Sequence, residues 1–331
     1  GRIVQFPAHD ALEIERYLAA VREAGLHAED VEIRKADLED VFLDVMQKNS
    51  GKAGQPVADT SGAAASLYPS GVQAMKMNGA NEFMEKAFGS SGSCNMNVNC
   101  PDGLPWTQQR NSAVMLVSGS SGFCSGALIN NTENDGKPYV LTANHCYSNP
   151  ANWIFRFNWQ ATDCNNPSSA PTFQSLSGAV LRARRTPSDF CLVEITGGLV
   201  NGSVPLDYNP YFSGWDNSGT IPTATVCIHH PSGDIKKISF DDNPPSISQS
   251  MGSTEPNSTW TVGWDRNTTT EGGSSGSPLF DQNHRIIGQL WGGGASCQNL
   301  SAPDYYGRVA NSWEPAGSNS TNQLKFWLDH L

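Results

Sequence analysis

Charge is scarce in this sequence. Of 331 residues, 21 are Lys or Arg and 32 are Asp or Glu, giving a net charge of −11. So few basic residues leave no electrostatic grip on a phosphate backbone, which argues against nucleic-acid binding. The imbalance is uneven. Residues 1–50 hold 11 acids and 6 bases, residues 51–88 hold 3 of each, and the remaining −6 falls on residues 89–331. That part would attract basic substrates mildly. No run of 18 apolar residues occurs, so no membrane-spanning helix is expected. No signal-peptide pattern is visible, and a chain opening on Gly1 in place of Met reads as a processed or partial form. The eight cysteines form no Cys-x-x-Cys pair, which counts against a zinc or redox motif. His229 and His230 have no third ligand at metal spacing and read as structural. Neither a metal nor an organic cofactor is expected.

What is present points to an all-β, loop-rich protein. Gly, Ser, Asn and Thr are plentiful. Short β-prone runs alternate with turn clusters: Ala113–Val117, Gly126–Ile129, Tyr139–Thr142, Trp153–Trp159, Gly178–Arg182 and Phe190–Ile195. A second set is Thr225–His229, Ile235–Ser239, Trp260–Trp264, Pro278–Phe280 and Arg285–Trp291. That spacing fits sandwiches or barrels. Leu324, Trp327, Leu328 and Leu331 would form one apolar face of a C-terminal helix over 322–331. An even cysteine count in such a chain reads as disulfides made in an oxidising compartment, although eight cysteines allow 105 pairings.

Three stretches carry candidate chemistry. In Glu271-Gly-Gly-Ser-Ser-Gly-Ser-Pro-Leu279 a serine stands among glycines ahead of an apolar run. Such a turn presents a hydroxyl and the neighbouring amides at one point, which suits acyl transfer. His145 follows the β-prone Tyr139–Thr142 and precedes Cys146. Asp189 stands just ahead of Phe190–Ile195, placed to accept the far N–H of an imidazole. Taken singly, each has an ordinary alternative: a Gly/Ser loop, a histidine at a strand end, a turn aspartate. Together they run His, Asp, Ser, the chain order of the chymotrypsin class.

Residues 89–331 resemble the trypsin-fold serine proteases of the bacterial lysyl endopeptidase family. The resemblance rests on Gly89-Ser-Ser-Gly-Ser-Cys94, Thr142-Ala-Asn-His-Cys146, Ser188-Asp-Phe190 and Ile228-His-His-Pro231. It continues through Gly273-Ser-Ser-Gly-Ser-Pro278, Gly288-Gln-Leu290 and Asp304-Tyr-Tyr-Gly-Arg-Val309. It implies two six-stranded antiparallel barrels, about 110–200 and about 206–312, followed by the C-terminal helix. His145 and Asp189 would come from the first barrel and Ser275 from the second.

The implied activity is that of a secreted, monomeric endopeptidase acting on protein or peptide substrates through an acyl-enzyme. Ser275 would be nucleophile, His145 general base and Asp189 its orienter, with the Gly273 and Ser275 amides as oxyanion hole. Asp304 would sit in the primary pocket and favour lysine. An Arg or broader preference remains open, as does a non-catalytic homologue serving as a binding module. The resemblance also implies bridges Cys94–Cys297, Cys100–Cys164 and Cys124–Cys146. Cys191 and Cys227 lie outside it; both sit in apolar runs, and a fourth bridge between them is expected over two buried thiols. Trp291 stands where family members can carry histidine, near the triad, and Trp215 would wall the same cleft unless it is a core tryptophan.

The N-terminal part differs in character. Helical spacing at Ala11–Ala24, a β-like run at Val31–Arg34 and a second short helix at Asp37–Val45 suggest a small α/β appendage over 1–50. Leu38-Glu-Asp-Val-Phe-Leu43 is similar to the C-terminal tail of ABC-transporter ATPases. No Walker A loop accompanies it, so ATP hydrolysis does not follow; a protease pro-segment is the alternative. Residues 51–88 read as a Gly/Ala/Ser/Pro linker running into a pro-region remnant.

Overall fold

A computed structural model of the chain describes residues 88–330. The appendage expected over 1–50 and, but for Phe88, the linker expected over 51–88 lie outside the described residues.

The first half opens with a two-residue strand, β1 (Met96–Asn97), and a short helix, α1 (Thr107–Ser112). Six strands follow: β2 (Ala113–Ser118), β3 (Ser121–Leu128), β4 (Tyr139–Ala143), β5 (Ile154–Phe157), β6 (Gln174–Arg185) and β7 (Phe190–Gly197). They close into an antiparallel barrel in the order β2-β3-β4-β7-β6-β5. The second half contains β8 (Thr225–His229), β9 (Lys237–Asp241), β10 (Ser246–Ser248), β11 (Thr259–Val262), β12 (Pro278–Asp281), β13 (Ile286–Gly293) and β14 (Asp304–Arg308). Two helical turns end the chain, α2 (Val309–Trp313) and α3 (Lys325–Leu328).

The second sheet has eight strands in the order β1-β9-β8-β12-β13-β14-β11-β10. Its six central strands repeat the neighbour relations of the first ring, strand for strand. The seam falls between β9 and β11. There one antiparallel bridge joins Phe240 to Asp265, and the Asp265 amide donates to Phe240 O at 2.7 Å. The protein is thus all-β and of the two-barrel, chymotrypsin-like class. The second half departs from six strands by gaining β1 and β10 at its edges. The C-terminal helix is one turn, shorter than the 322–331 span expected; Asn322 and Gln323 precede it in non-helical conformation.

Alternation along the strands sorts side chains into separate cores, three of which bear on the site. Phe190 and Leu192 of β7 join Val226 and Ile228 of β8 in a core shared by the two halves. Cys191, Val193 and Ile195 point the other way, into the first barrel beside Trp153, Phe155 and Phe157. Cys227 points into the second, with Trp260, Leu279 and Tyr306. That alternation overturns the expected fourth bridge. Cys191 and Cys227 are buried thiols facing the interiors of different barrels. Burial pushes the Cys191 thiol up to about 12, so it stays protonated and inert. Three disulfides are formed: Cys94–Cys297, Cys100–Cys164 and Cys124–Cys146.

Candidate active site

The Glu271–Leu279 stretch is shaped by two glycines whose backbone excludes any side chain. Gly273 has φ +88°, and a Cβ there would stand 2.9 Å from His230 O and 3.0 Å from Gly233 N. Gly276 has φ +78°, and a Cβ there would meet Ser125 O at 2.5 Å and Ala143 N at 2.8 Å. The second contact decides the assembly of the site. It presses the turn carrying Ser275 against Ala143, two residues before His145. The two halves therefore bring Ser275 and His145 to the same seam.

His145 lies in a single 3-10 turn, Asn144–Cys146, directly after β4. Asp189 holds it twice: Oδ1 accepts the His145 backbone amide at 2.9 Å, and Oδ2 lies 2.8 Å from Nδ1. A carboxylate only accepts, so Nδ1 carries a proton, which in the neutral ring leaves Nε2 as the acceptor. Asp189 is 3 % exposed and adopts the left-handed conformation, φ 53° and ψ 31°. Asp tolerates that region better than most residues, and strained backbone of this kind collects at functional sites. Burial pushes its carboxyl pKa up, while His145 pulls against that shift. His145 Nε2 is buried and has no hydrogen-bond partner among the described residues. No hydrogen bond joins it to Ser275 in this resting geometry, and such bonds often tighten only with substrate in place.

The amides of the turn are divided between structure and open donors. Ser274 N donates to Glu271 O and Gly276 N to Leu290 O. Among the described residues, the amides of Gly273 and Ser275 donate to no protein acceptor. Each of these open donors has its peptide plane fixed from the carbonyl end. Gly272 O accepts from Ser232 N at 2.5 Å, and Ser274 O accepts from Ser277 N at 3.0 Å.

Residues that sequence reasoning passed over do much of this holding. Ser125 of β3 donates its backbone amide to Ser275 O at 2.8 Å. Its hydroxyl donates to Gly273 O at 2.9 Å and accepts from His230 N at 3.0 Å. Glu271 accepts from Gly92 N, Asn95 Nδ2 and Ser232 Oγ, tying residues 89–95 to the start of the turn. Asp234 adds to that tie by accepting from the Gly89 and Ser91 amides. Ser, Asn and Glu inside polar segments carry no periodic signal that would have singled them out.

Asp304 opens β14 and is fully buried. Its Oδ2 accepts from Trp264 Nε1 at 2.7 Å and Thr270 Oγ1 at 2.6 Å, and its Oδ1 from Ala295 N at 3.3 Å. Gly293, paired with it on β13, leaves no room for a side chain over Oδ1. Trp291 is buried on β13, edge-on to Tyr305. Trp215 packs in the manner of the core tryptophan that is its alternative reading. Its ring lies 4.2 Å from that of Trp313, its Nε1 donates to Asn130 O, and it packs on the core shared by the halves. The local Gly214-Trp215-Asp216 signal could not separate these two settings. Of the histidines expected to be structural, His230 is buried and donates Nδ1–H to Asp234 O at 2.9 Å. Burial holds its pKa well below the usual histidine value. Cys124, His145 and Cys146 cluster closely, but both sulfurs belong to one disulfide, so the cluster offers no thiolate to a metal.

Residues 88–307 match the family described as the lysyl endopeptidase C-terminal domain. The chain belongs to that family. A lysyl endopeptidase of Pseudomonas aeruginosa strain PAO1 is 26 % identical over 234 residues, covering 63 % of this chain and 47 % of the relative. The chain thus spans less than half the length of that relative. Among solved structures, human heparin binding protein matches with a TM-score of 0.42 at 17 % identity, over 64 % of this chain and 96 % of its own. A thermostable serine protease from an extremophilic microorganism matches with a TM-score of 0.42 at 13 % identity, over 60 % and 89 %.

Proposed function

We propose that residues 89–331 form a serine endopeptidase that hydrolyses peptide bonds on the carboxyl side of lysine. The observation that carries the reading is the two-point hold of Asp189 on His145, next to the turn that Gly276 seats against Ala143. With Nδ1 protonated, the bare Nε2 takes the Ser275 proton as the hydroxyl attacks the scissile carbonyl. The same nitrogen then returns the proton to the leaving amine. Asp189, buried and ionised beside the imidazolium, stabilises the charge that forms on the ring. The open amides of Gly273 and Ser275 receive the oxyanion, each worth about 3 kcal/mol on precedent. Water then attacks the acyl-enzyme by the same relay in reverse.

Asp304 supplies the preference for a cation. A buried carboxylate attracts the ammonium of an entering lysine side chain, and a neutral side chain offers it no charge. The family membership supports lysine as the cation. A broader preference is the second reading: three neutral donors already bind Asp304, an arrangement that a purely structural aspartate also shows. The protein is read as secreted, in keeping with its three disulfides.

The test is covalent labelling by an organophosphonate followed by digestion of a denatured protein. Wild type should be modified at Ser275 and should cut after lysines; Ser275→Ala should do neither. Cleavage by Ser275→Ala at the wild-type rate would remove the assignment.

A further inference from the structure

His229, the last residue of β8, is fully buried and has both ring nitrogens engaged. Nδ1 lies 2.7 Å from Ser274 Oγ and Nε2 lies 3.0 Å from Ser239 Oγ. The proton positions follow from the far ends. Ser239 Oγ donates its one proton to Thr269 O at 2.6 Å, so it accepts from His229 and Nε2 carries the hydrogen. Nδ1 is then bare and accepts from the Ser274 hydroxyl. That hydroxyl's lone pair accepts the Glu271 amide at 3.1 Å. The chain of bonds has one consistent direction, from the Glu271 amide through Ser274, the residue next to Ser275, and His229 to Thr269 O. Ser239, Thr269 and Ser274 are also fully buried, so water does not compete for any link.

We propose that His229 is a positioning residue for Ser275: through Ser274 it fixes the turn that presents the hydroxyl and the two open amides. The proposal rests on the reading of Ser275 as nucleophile. The physical reason lies in the turn. Ser274 N and Ser274 Oγ both bond to Glu271, as donor to its carbonyl and acceptor from its amide. Among the described residues, only His229 ties that closed loop to the sheet through the serine side chain. Releasing the tie leaves the turn hinged on its backbone bonds, and the open amides lose their aim before they lose their fold. The cost then falls on the transition state, where the oxyanion needs both donors at once, and little on substrate binding.

Two amide replacements separate the two ring nitrogens. In His229→Asn the side-chain oxygen stands near the former Nδ1 position and still accepts from Ser274. In His229→Gln the amide reaches the former Nε2 position and serves Ser239 alone. These variants, with Ser274→Ala, His229→Gln/Ser274→Ala and Ser275→Ala, are compared in the full chain. Readouts are kcat and KM on a Lys-amide substrate and the thermal midpoint. His229→Gln and Ser274→Ala should each lower kcat about tenfold, the worth of one hydrogen bond in the transition state, with KM within twofold. Their combination should be no worse than either. His229→Asn should recover to within about threefold of wild type. A wild-type kcat in Ser274→Ala, or equal losses in His229→Asn and His229→Gln at matched midpoints, overturns the proposal. An active Ser275→Ala enzyme overturns the nucleophile reading itself, and the positioning role with it.

Discussion

Replacing Asp304 by Asn tests the specificity reading most directly. The side chain keeps its volume, and its amide oxygen can still accept from Trp264 and Thr270, as Oδ2 does now. The NH₂ group then faces Ala295 N–H, where the carboxylate currently accepts at 3.3 Å. One donor–donor clash in a buried site costs about 1–3 kcal/mol of stability. The effect on turnover is larger for one class of substrate. A lysine ammonium drawn into this buried site without the Asp304 charge loses about 3–5 kcal/mol, which lowers kcat/KM by about two to four orders of magnitude. A norleucine substrate, of similar length and uncharged, has no such charge to lose. The assay is kcat/KM on matched peptide amides ending in lysine, arginine or norleucine, for wild type and variant. The expected result is a loss of about 10²–10⁴ on lysine against threefold or less on norleucine. Equal losses on both would refute the pocket assignment and leave Asp304 as the residue that merely organises Trp264 and Thr270.

Asp189→Asn should retain one of the two bonds to His145 but present an N–H to Nδ1, moving the ring proton to Nε2. That tautomer cannot take the Ser275 proton, so kcat should fall about 10⁴-fold on the precedent of such triads; initial rates with KM unchanged would show it, and a loss under tenfold would refute the tautomer argument. Lys236 is fully buried with Nζ on Arg110 O, and burial, assisted by nearby Arg110, lowers its pKa to about 7. The unfolded chain holds that proton up to about pH 10.4. Wild-type stability should therefore climb with pH, relative to Lys236→Met, from about 7 towards 10 and stay flat below. Unfolding free energies from denaturant titrations at pH 7 and 9.5 should diverge by up to about 3 kcal/mol, and parallel curves would contradict a proton-shedding lysine.

The fold was legible where side-chain alternation follows burial. Phe190–Ile195 and Thr225–His229 read as strands because their apolar residues alternate between one core and another. β14 was legible only as a motif, since Asp304-Tyr-Tyr-Gly-Arg308 has no apolar period and is held by pairing with β13 and β11. β1 and β10 were invisible because two or three residues at a sheet edge carry no pattern. The Gly273 and Gly276 turn was readable because those backbone positions exclude any Cβ. The fourth disulfide failed for the converse reason. Sequence shows that Cys191 and Cys227 are buried but not which way each strand faces. The links from Ser125 and His229 to the turn join positions 148 and 45 residues apart, and no local signal reaches so far.

The Cys94–Cys297 bridge joins residues separated by 203 positions, and both sheets up to the end of β13 lie within that span. A single nick in any loop between the two sulfurs would leave one covalent molecule with two new ends. Such clipped protein should run as an intact band on electrophoresis until a reductant is added. Self-digestion would then go unnoticed in any assay that reads only apparent size under oxidising conditions.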